Sequence, residues 1–206
     1  MVDSVYTIGH SNHSIERIIA LLRLHDITAV ADVRSHPYSR FNPQFNREGM
    51  REYLKGAGIA YLFLGRELGA RSEDRSCYVE GTVQYDLLAR TDLFQAGLTQ
   101  VAEAISSHRI ALMCAEKDPL TCHRAILVCR HLEARGIRSQ HILDDGRLES
   151  HDEALTRLLK ELGLPECDLF RTIDELIAEA YYRRGQQIAY TEKEPSSAEA
   201  ARGVWR

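Results

Sequence analysis

A chain of 206 residues, 44% of them hydrophobic, is the size of one domain able to bury a sizeable core. Its formal net charge of -4 excludes a global electrostatic grip on nucleic acid and leaves room only for a local basic patch. Five cysteines that match no disulfide scaffold, no leader-like N-terminus and no apolar run of membrane-spanning length together suggest a cytoplasmic protein without a membrane partner.

Val5–Ile8 reads as a first strand, ending at Gly9-His10-Ser11. Ser14 is a natural N-cap for a helix carrying Ile15, Ile18, Ile19 and Leu22 at helical spacing. Thr28–Val33 reads as a second strand that runs into a long loop, Arg34 to Phe45, whose two prolines exclude helix. A short helix with Met50, Tyr53 and Leu54 stops near Gly56 and Gly58, and Ile59–Leu64 follows as a third strand. The segment from Gly65 to about Gly81 is polar and irregular.

Thr91 caps an amphipathic helix with Phe94, Leu98, Val101 and Ile105 on one face. Ile110–Met113 is a fourth strand, and Ala125 to Gly136 reads as a helix stopped by glycine. Ser139–Leu143 is a fifth strand. Ser150 with Glu153 forms a capping box for the next helix, and a last helix carries Ile173, Leu176, Ile177 and Ala180. From Arg184 onward the residues turn polar, so a domain over 1–183 with a flexible tail over 184–206 is expected.

Strands alternating with helices predict a single-domain α/β fold: a mainly parallel sheet of about five strands with helices on both faces. In such sheets ligands bind beyond the carboxyl ends of the strands. Each polar cluster here follows a strand. One site assembled from four loops is therefore expected, with His10, Arg34, Arg40, Glu116, Cys122 and Arg124 around one pocket.

The stretch Cys114-Ala115-Glu116-Lys117-Asp118-Pro119-Leu120-Thr121-Cys122-His123-Arg124 concentrates the chemistry on one strand-to-helix turn. A helix N-terminus attracts anions and favours a thiolate. Cys122 is the candidate nucleophile, with Glu116 and His10 as candidate proton carriers. Cys114, at a strand end, reads as buried structure.

Arg34, Arg40 and Arg124 are candidate anion holders, with Ser11, Asp32, Ser39 and His123 beside them. Arg124 could equally tie loops together by pairing with Glu116 or Asp32. Cys114, Cys122 and His123 are zinc-type ligands, but seven residues between the cysteines is no standard knuckle and no second paired motif exists, so no metal is expected. No cofactor motif is present: there is no phosphate-binding P-loop and no dinucleotide glycine fingerprint.

Several motifs occur together. They are Thr7-Ile8-Gly9-His10-Ser11; Asp32-Val33-Arg34 with Pro37, Ser39-Arg40, Pro43 and Phe45; Gly58-Ile59 with Tyr61, Leu64-Gly65 and Leu68-Gly69; and Cys114, Glu116 and Cys122-His123-Arg124 with His141-Ile142. In this combination the chain resembles the DUF488 family of uncharacterised bacterial and archaeal proteins, from about Val5 to Ile142. The resemblance implies one α/β domain with the loop cluster as its functional centre, and no settled activity. Arg66 stands where the third motif often has a second glycine.

The expected function is an enzyme acting on an anionic substrate: a nucleotide, a nucleic-acid fragment or another phosphorylated molecule. The alternative is a non-catalytic nucleic-acid-binding or regulatory module using the same arginines with Tyr38, Phe41 and Phe45. Tyr181, Tyr182 and Trp205 suggest a homodimer.

Overall fold

The computed structural model describes residues 4–192. Along the chain, β1 (Ser4–Gly9), β2 (Ala29–Asp32) and β3 (Ala60–Phe63) are followed by a small hairpin, β4 (Tyr78–Val79) with β5 (Thr82–Val83). Then come β6 (Ile110–Cys114), β7 (Arg138–Ile142) and β8 (Leu148–Ser150). Six of these strands make one sheet in the order β3-β2-β6-β1-β7-β8, parallel throughout except for the β7–β8 pair. The five expected strands are all present in an α/β fold. The sixth, β8, was not foreseen because Leu148–Ser150 is a short edge strand, turned back on β7 through Gly146 at φ +92°.

β6 lies near the centre of the sheet, and all five of its residues are buried. That burial explains its continuous apolar run, since a parallel strand is covered on both faces. Side chains alternate between two cores. Val5, Ile110 and Leu112 face one; Tyr6, Ile8, Ala111 and Met113 face the other.

The second core is closed by α1 (Ile15–Leu24) and α2 (Arg47–Gly56), through Ile18, Leu22, Met50 and Leu54. The first core takes the remaining helical cover. After two single-turn helices, α3 (Gly65–Leu68) and α4 (Tyr85–Leu88), it receives α5 (Asp92–Ile105), a π-helix over Arg124–Cys129 that continues as α6 (Arg130–Glu133), then α7 (His151–Glu161) and α8 (Ile173–Ile188).

Ser14, Thr91 and Ser150 cap their helices through side-chain oxygens, as their sequence positions predict. The wide turns of the π-helix carry no sequence signal that an ordinary apolar helix lacks. The boundary expected between residues 183 and 184 falls inside α8. Gly185 in that helix is buried against Tyr85, the Val83 amide donates to the Tyr190 carbonyl at 2.9 Å, and Thr191 bridges to Thr82. The rest of the expected tail, with Trp205, lies outside the described residues. No helix among the described residues is long and apolar enough to cross a membrane.

Candidate functional site

Because β1, β2, β3 and β6 are parallel, their carboxyl ends share one edge of the sheet. Gly9 pairs with Cys114 at that edge. A Cβ on Gly9 would come within 1.9 Å of the Glu116 carbonyl oxygen, so only glycine lets the loop after β6 fold back this closely. The His10 and Ser11 amides donate to the Cys114 and Ala115 carbonyls at 2.9 Å each. Arg124 clasps the same loop from the other side. Its Nη1 donates to the Glu116 carbonyl at 2.7 Å, its Nη2 to the Lys117 carbonyl at 3.0 Å, and its Nε to Thr7 Oγ1 at 3.4 Å.

Asp118 then accepts from the Leu120 amide and opens a single 3₁₀ turn that delivers Cys122 to the helix start. The Cys122 sulfur accepts the Arg124 amide at 3.4 Å, as an N-cap oxygen would. Its carbonyl accepts from Ala125 and Ile126.

The two sulfurs meet one imidazole. His123 Nδ1 stands 3.7 Å from Cys114 Sγ and 3.8 Å from Cys122 Sγ. Its Nε2 donates to the Val33 carbonyl at 3.0 Å, which fixes the ring. The Glu116 side chain lines the same cleft as the two sulfurs.

Burial opposes ionisation of Cys122, but the Cys114 thiol, Arg124 and His123 together hold its pKa well below the usual thiol value. Burial raises Cys114 instead. Burial and the neighbouring Cys122 also raise Glu116. His123 is raised because Cys122 outweighs its desolvation.

Cys114, Cys122 and His123 floor a cleft of about 320 Å³, whose walls and rim include the exposed Glu116 with Arg34, His36, Arg71 and Tyr190. Of the residues expected at one pocket, the structure brings Arg34, Glu116, Cys122 and His123 to this cleft, and adds Cys114. Arg124 lies beneath it, almost fully buried, and ties the loop after β6 to β1. Its partners are backbone carbonyls, not the Glu116 or Asp32 carboxylates.

His10 and Asp32 stand on the other face of the sheet, two residues beyond Ile8 and Val30 of the second core. Asp32 holds the Arg34 guanidinium through two contacts, at 2.9 Å and 2.6 Å, accepts the Arg34 amide at 3.1 Å, and accepts the Tyr61 hydroxyl at 2.8 Å. Arg34 also donates to the Phe45 carbonyl and to His10 Nε2 at 3.0 Å.

His10 stacks on Phe45 and donates from Nδ1 to the Ser11 carbonyl. Burial and Arg34 lower its pKa to about 4. Both ring nitrogens are thus occupied, and His10 orients Arg34 instead of facing the cleft. Ser11 takes a positive φ of 47° in the turn after β1. Ser39 accepts the Phe41 and Asn42 amides and shapes its own loop, while Arg40 projects into solvent.

Sequence reading missed His36, which lies within the second motif but is not one of its matching positions, and Arg71, which lies in the irregular segment after Leu68-Gly69. It also missed a buried relay behind the site. Arg124 donates to the Thr7 hydroxyl, which lies 2.8 Å from His141 Nδ1. His141 Nε2 is 3.0 Å from His151 Nδ1, and His151 Nε2 is 2.7 Å from the Tyr181 hydroxyl. Burial holds His151 at about 4 and His141 well below the usual value.

The unfolded chain takes up these protons near pH 6.5 and the folded chain only at lower pH, for His151 near 4. Their contribution to stability is therefore present above pH 6.5 and is lost as pH falls toward 4, at about 1.4 kcal/mol per histidine per pH unit. His123, shifted upward, offsets one of the two in part. The urea midpoint is expected to be clearly lower at pH 5 than at pH 7, and a His151→Gln variant is expected to show a flatter dependence. Equal midpoints at the two pH values would contradict the neutral relay.

Two of the larger clefts carry less chemistry. One of about 620 Å³ is lined by charges already paired with each other: Arg157 with Asp118 and Glu149, Lys117 with Asp144, and Arg147 with Asp145. The other, about 1060 Å³, adjoins the thiol cleft and shares His36, Arg71 and Tyr190 with it.

A family model described as a domain of unknown function, DUF488, matches residues 14–130, more than half of the chain. No curated protein and no solved structure matches it.

Proposed function

The chain belongs to the DUF488 family, and from that premise we propose that the cleft over Cys114, Glu116, Cys122 and His123 is the working site of an enzyme. Its substrate would be a small molecule carrying an anionic group, a nucleotide or another phosphorylated compound. The observation that carries this reading is the meeting of two sulfurs and an imidazole on the floor of one cleft, which the Glu116 carboxylate and a cationic rim also line.

Arg71 lies over the Tyr190 ring and forms no ion pair among the described residues, so its charge is available to a ligand. Arg34 is pinned by Asp32, Phe45 and His10, with one Nη1 hydrogen left for the cleft. Glu116 is the proton carrier, by its place in the lining of the cleft that the sulfurs share. Cys122, the nucleophile candidate of the sequence, is the sulfur whose lone pairs the Arg124 amide orders.

A volume of about 320 Å³ suits a small metabolite or the head of a nucleotide. The adjoining groove sets Glu67, Glu73, Asp74, Asp92 and Glu192 against Arg66, Arg71 and Arg90, which disfavours a long polyanionic strand. A reducing cytoplasm would keep Cys114 and Cys122 as thiols.

The test is a panel of nucleoside phosphates, sugar phosphates and oligonucleotides, screened by thermal shift and then by turnover. Stabilisation by small anions with chemical conversion is expected. Glu116→Gln is expected to keep its melting temperature and lose about 10²–10⁴-fold in turnover. No stabilisation by any anion would overturn the reading.

A second reading, a nucleic-acid-binding module, rests on the loop where Phe41 is 91% exposed beside Arg40. Stabilisation by oligonucleotides alone, all recovered unchanged, would favour it. A homodimer would use the exposed Leu169, Phe170 and Tyr182, since Tyr181 is buried against His151. Light scattering showing only monomer at micromolar concentration would remove it.

A further inference from the structure

We propose that Cys114, Cys122 and His123 form a three-ligand site for a divalent metal ion of the zinc class, with its fourth position open to the cleft. This rests on the reading of the cleft as a working site, and it gives the floor a more specific chemistry. The three donor atoms lie within 4.8 Å of one another. The His123 Nδ1 contacts, 3.7 Å and 3.8 Å to the two sulfurs, match the ~3.6 Å nitrogen-to-sulfur edge of a tetrahedron built from ordinary zinc–sulfur and zinc–nitrogen bond lengths. An ion can enter with little movement of the ligands.

The surroundings prepare the ligands. His123 donates Nε2–H to the Val33 carbonyl, so its neutral form turns the Nδ1 lone pair toward both sulfurs. A backbone acceptor behind the distal nitrogen is the usual support of a metal-bound imidazole. The Arg124 amide points at the Cys122 sulfur, which favours the thiolate a metal needs. Two thiolates and a divalent ion sum to zero charge, which suits a centre whose three residues are all buried.

Ligands drawn from a strand end and a helix start, with seven residues between the cysteines, form no sequence knuckle, and for this reason the spacing argued against a metal. Three protein ligands with a fourth position facing a cleft is the arrangement of catalytic zinc, and thiolate with imidazole donors selects for zinc over magnesium or calcium. All three ligands and Glu116 line the same cleft, so Glu116 is the base nearest the open position. In this arrangement Cys122 serves as a ligand, and the attacking group is whatever occupies the fourth position.

The experiment is a cobalt(II) titration of the reduced full-length protein, followed by displacement with zinc. One equivalent of cobalt is expected to give the visible bands of a tetrahedral ion with thiolate charge transfer. Zinc should abolish them. Cys122→Ser and His123→Gln should lose the spectrum while Cys167→Ser keeps it.

Should the ligand variants fail to fold, alkylation of the native chain decides. Zinc is expected to protect Cys114 and Cys122 while the exposed Cys167 labels at an unchanged rate. No uptake, an octahedral spectrum without charge transfer, or a spectrum unchanged in Cys122→Ser and His123→Gln would overturn the site. Turnover that survives complete removal of metal would keep the enzyme and discard the metal centre. A tetrahedral cobalt site in a protein that no anion stabilises would do the reverse.

Discussion

Asp32→Ala is expected to cost about 3–5 kcal/mol of stability, because breaking a buried pair from one side strands the other charge. Asp32 is fully buried and Arg34 nearly so. Arg34 contacts both carboxylate oxygens, and the Tyr61 hydroxyl donates to the second. Without the carboxylate, the guanidinium keeps only the Phe45 carbonyl and His10 as acceptors. For a domain of this size the loss corresponds to a fall in melting temperature of roughly 10 °C. Urea unfolding at pH 7 measures it directly. A loss below about 1 kcal/mol would mean that the pair behaves like a solvated surface bridge.

The second large effect is expected at Arg124. Replacing it with Met keeps much of the volume and removes the donors to the Glu116 and Lys117 carbonyls and to Thr7. Each stranded buried acceptor costs about 1–3 kcal/mol, so a total loss of about 3 kcal/mol is expected. Arg124→Lys should recover little, since one ammonium cannot reproduce the fork that spans two carbonyls. The loop that carries Glu116 should loosen with it, read as faster hydrogen exchange at residues 115–118. Wild-type exchange in that loop together with wild-type stability would show that the carbonyls do not need the clamp.

Much of the fold was legible because its signals are local. The apolar runs at Val5–Ile8 and Ile110–Met113, and the caps at Ser14, Thr91 and Ser150, depend on neighbours in sequence. β8 and the β4–β5 hairpin were not legible, since strands of two or three residues carry no period. The site was legible as an edge and not as a set of contacts. The parallel-sheet rule led from four polar loops to one rim, and Arg34, Glu116, Cys122 and His123 stand there.

Strand alternation alone separates His10 and Asp32 from Cys114, and that step was open to sequence reasoning. The partners of Arg124 were not, because backbone carbonyls leave no mark in a sequence. Cys114 read as structural because nothing local brings it to Cys122. Only the folding back of residues 115–121 over Gly9 does so.

The claim that the chemistry belongs to the thiol cleft is tested most directly by amide chemical-shift mapping of the full-length chain with a nucleoside monophosphate, and separately with inorganic phosphate. The account predicts saturable shifts at residues 34–36, at Arg71 and across 114–123, with the face formed by Asp144, Arg147 and Glu149 unchanged. Shifts confined to that second face, or to the Arg40–Phe41 loop, would contradict it.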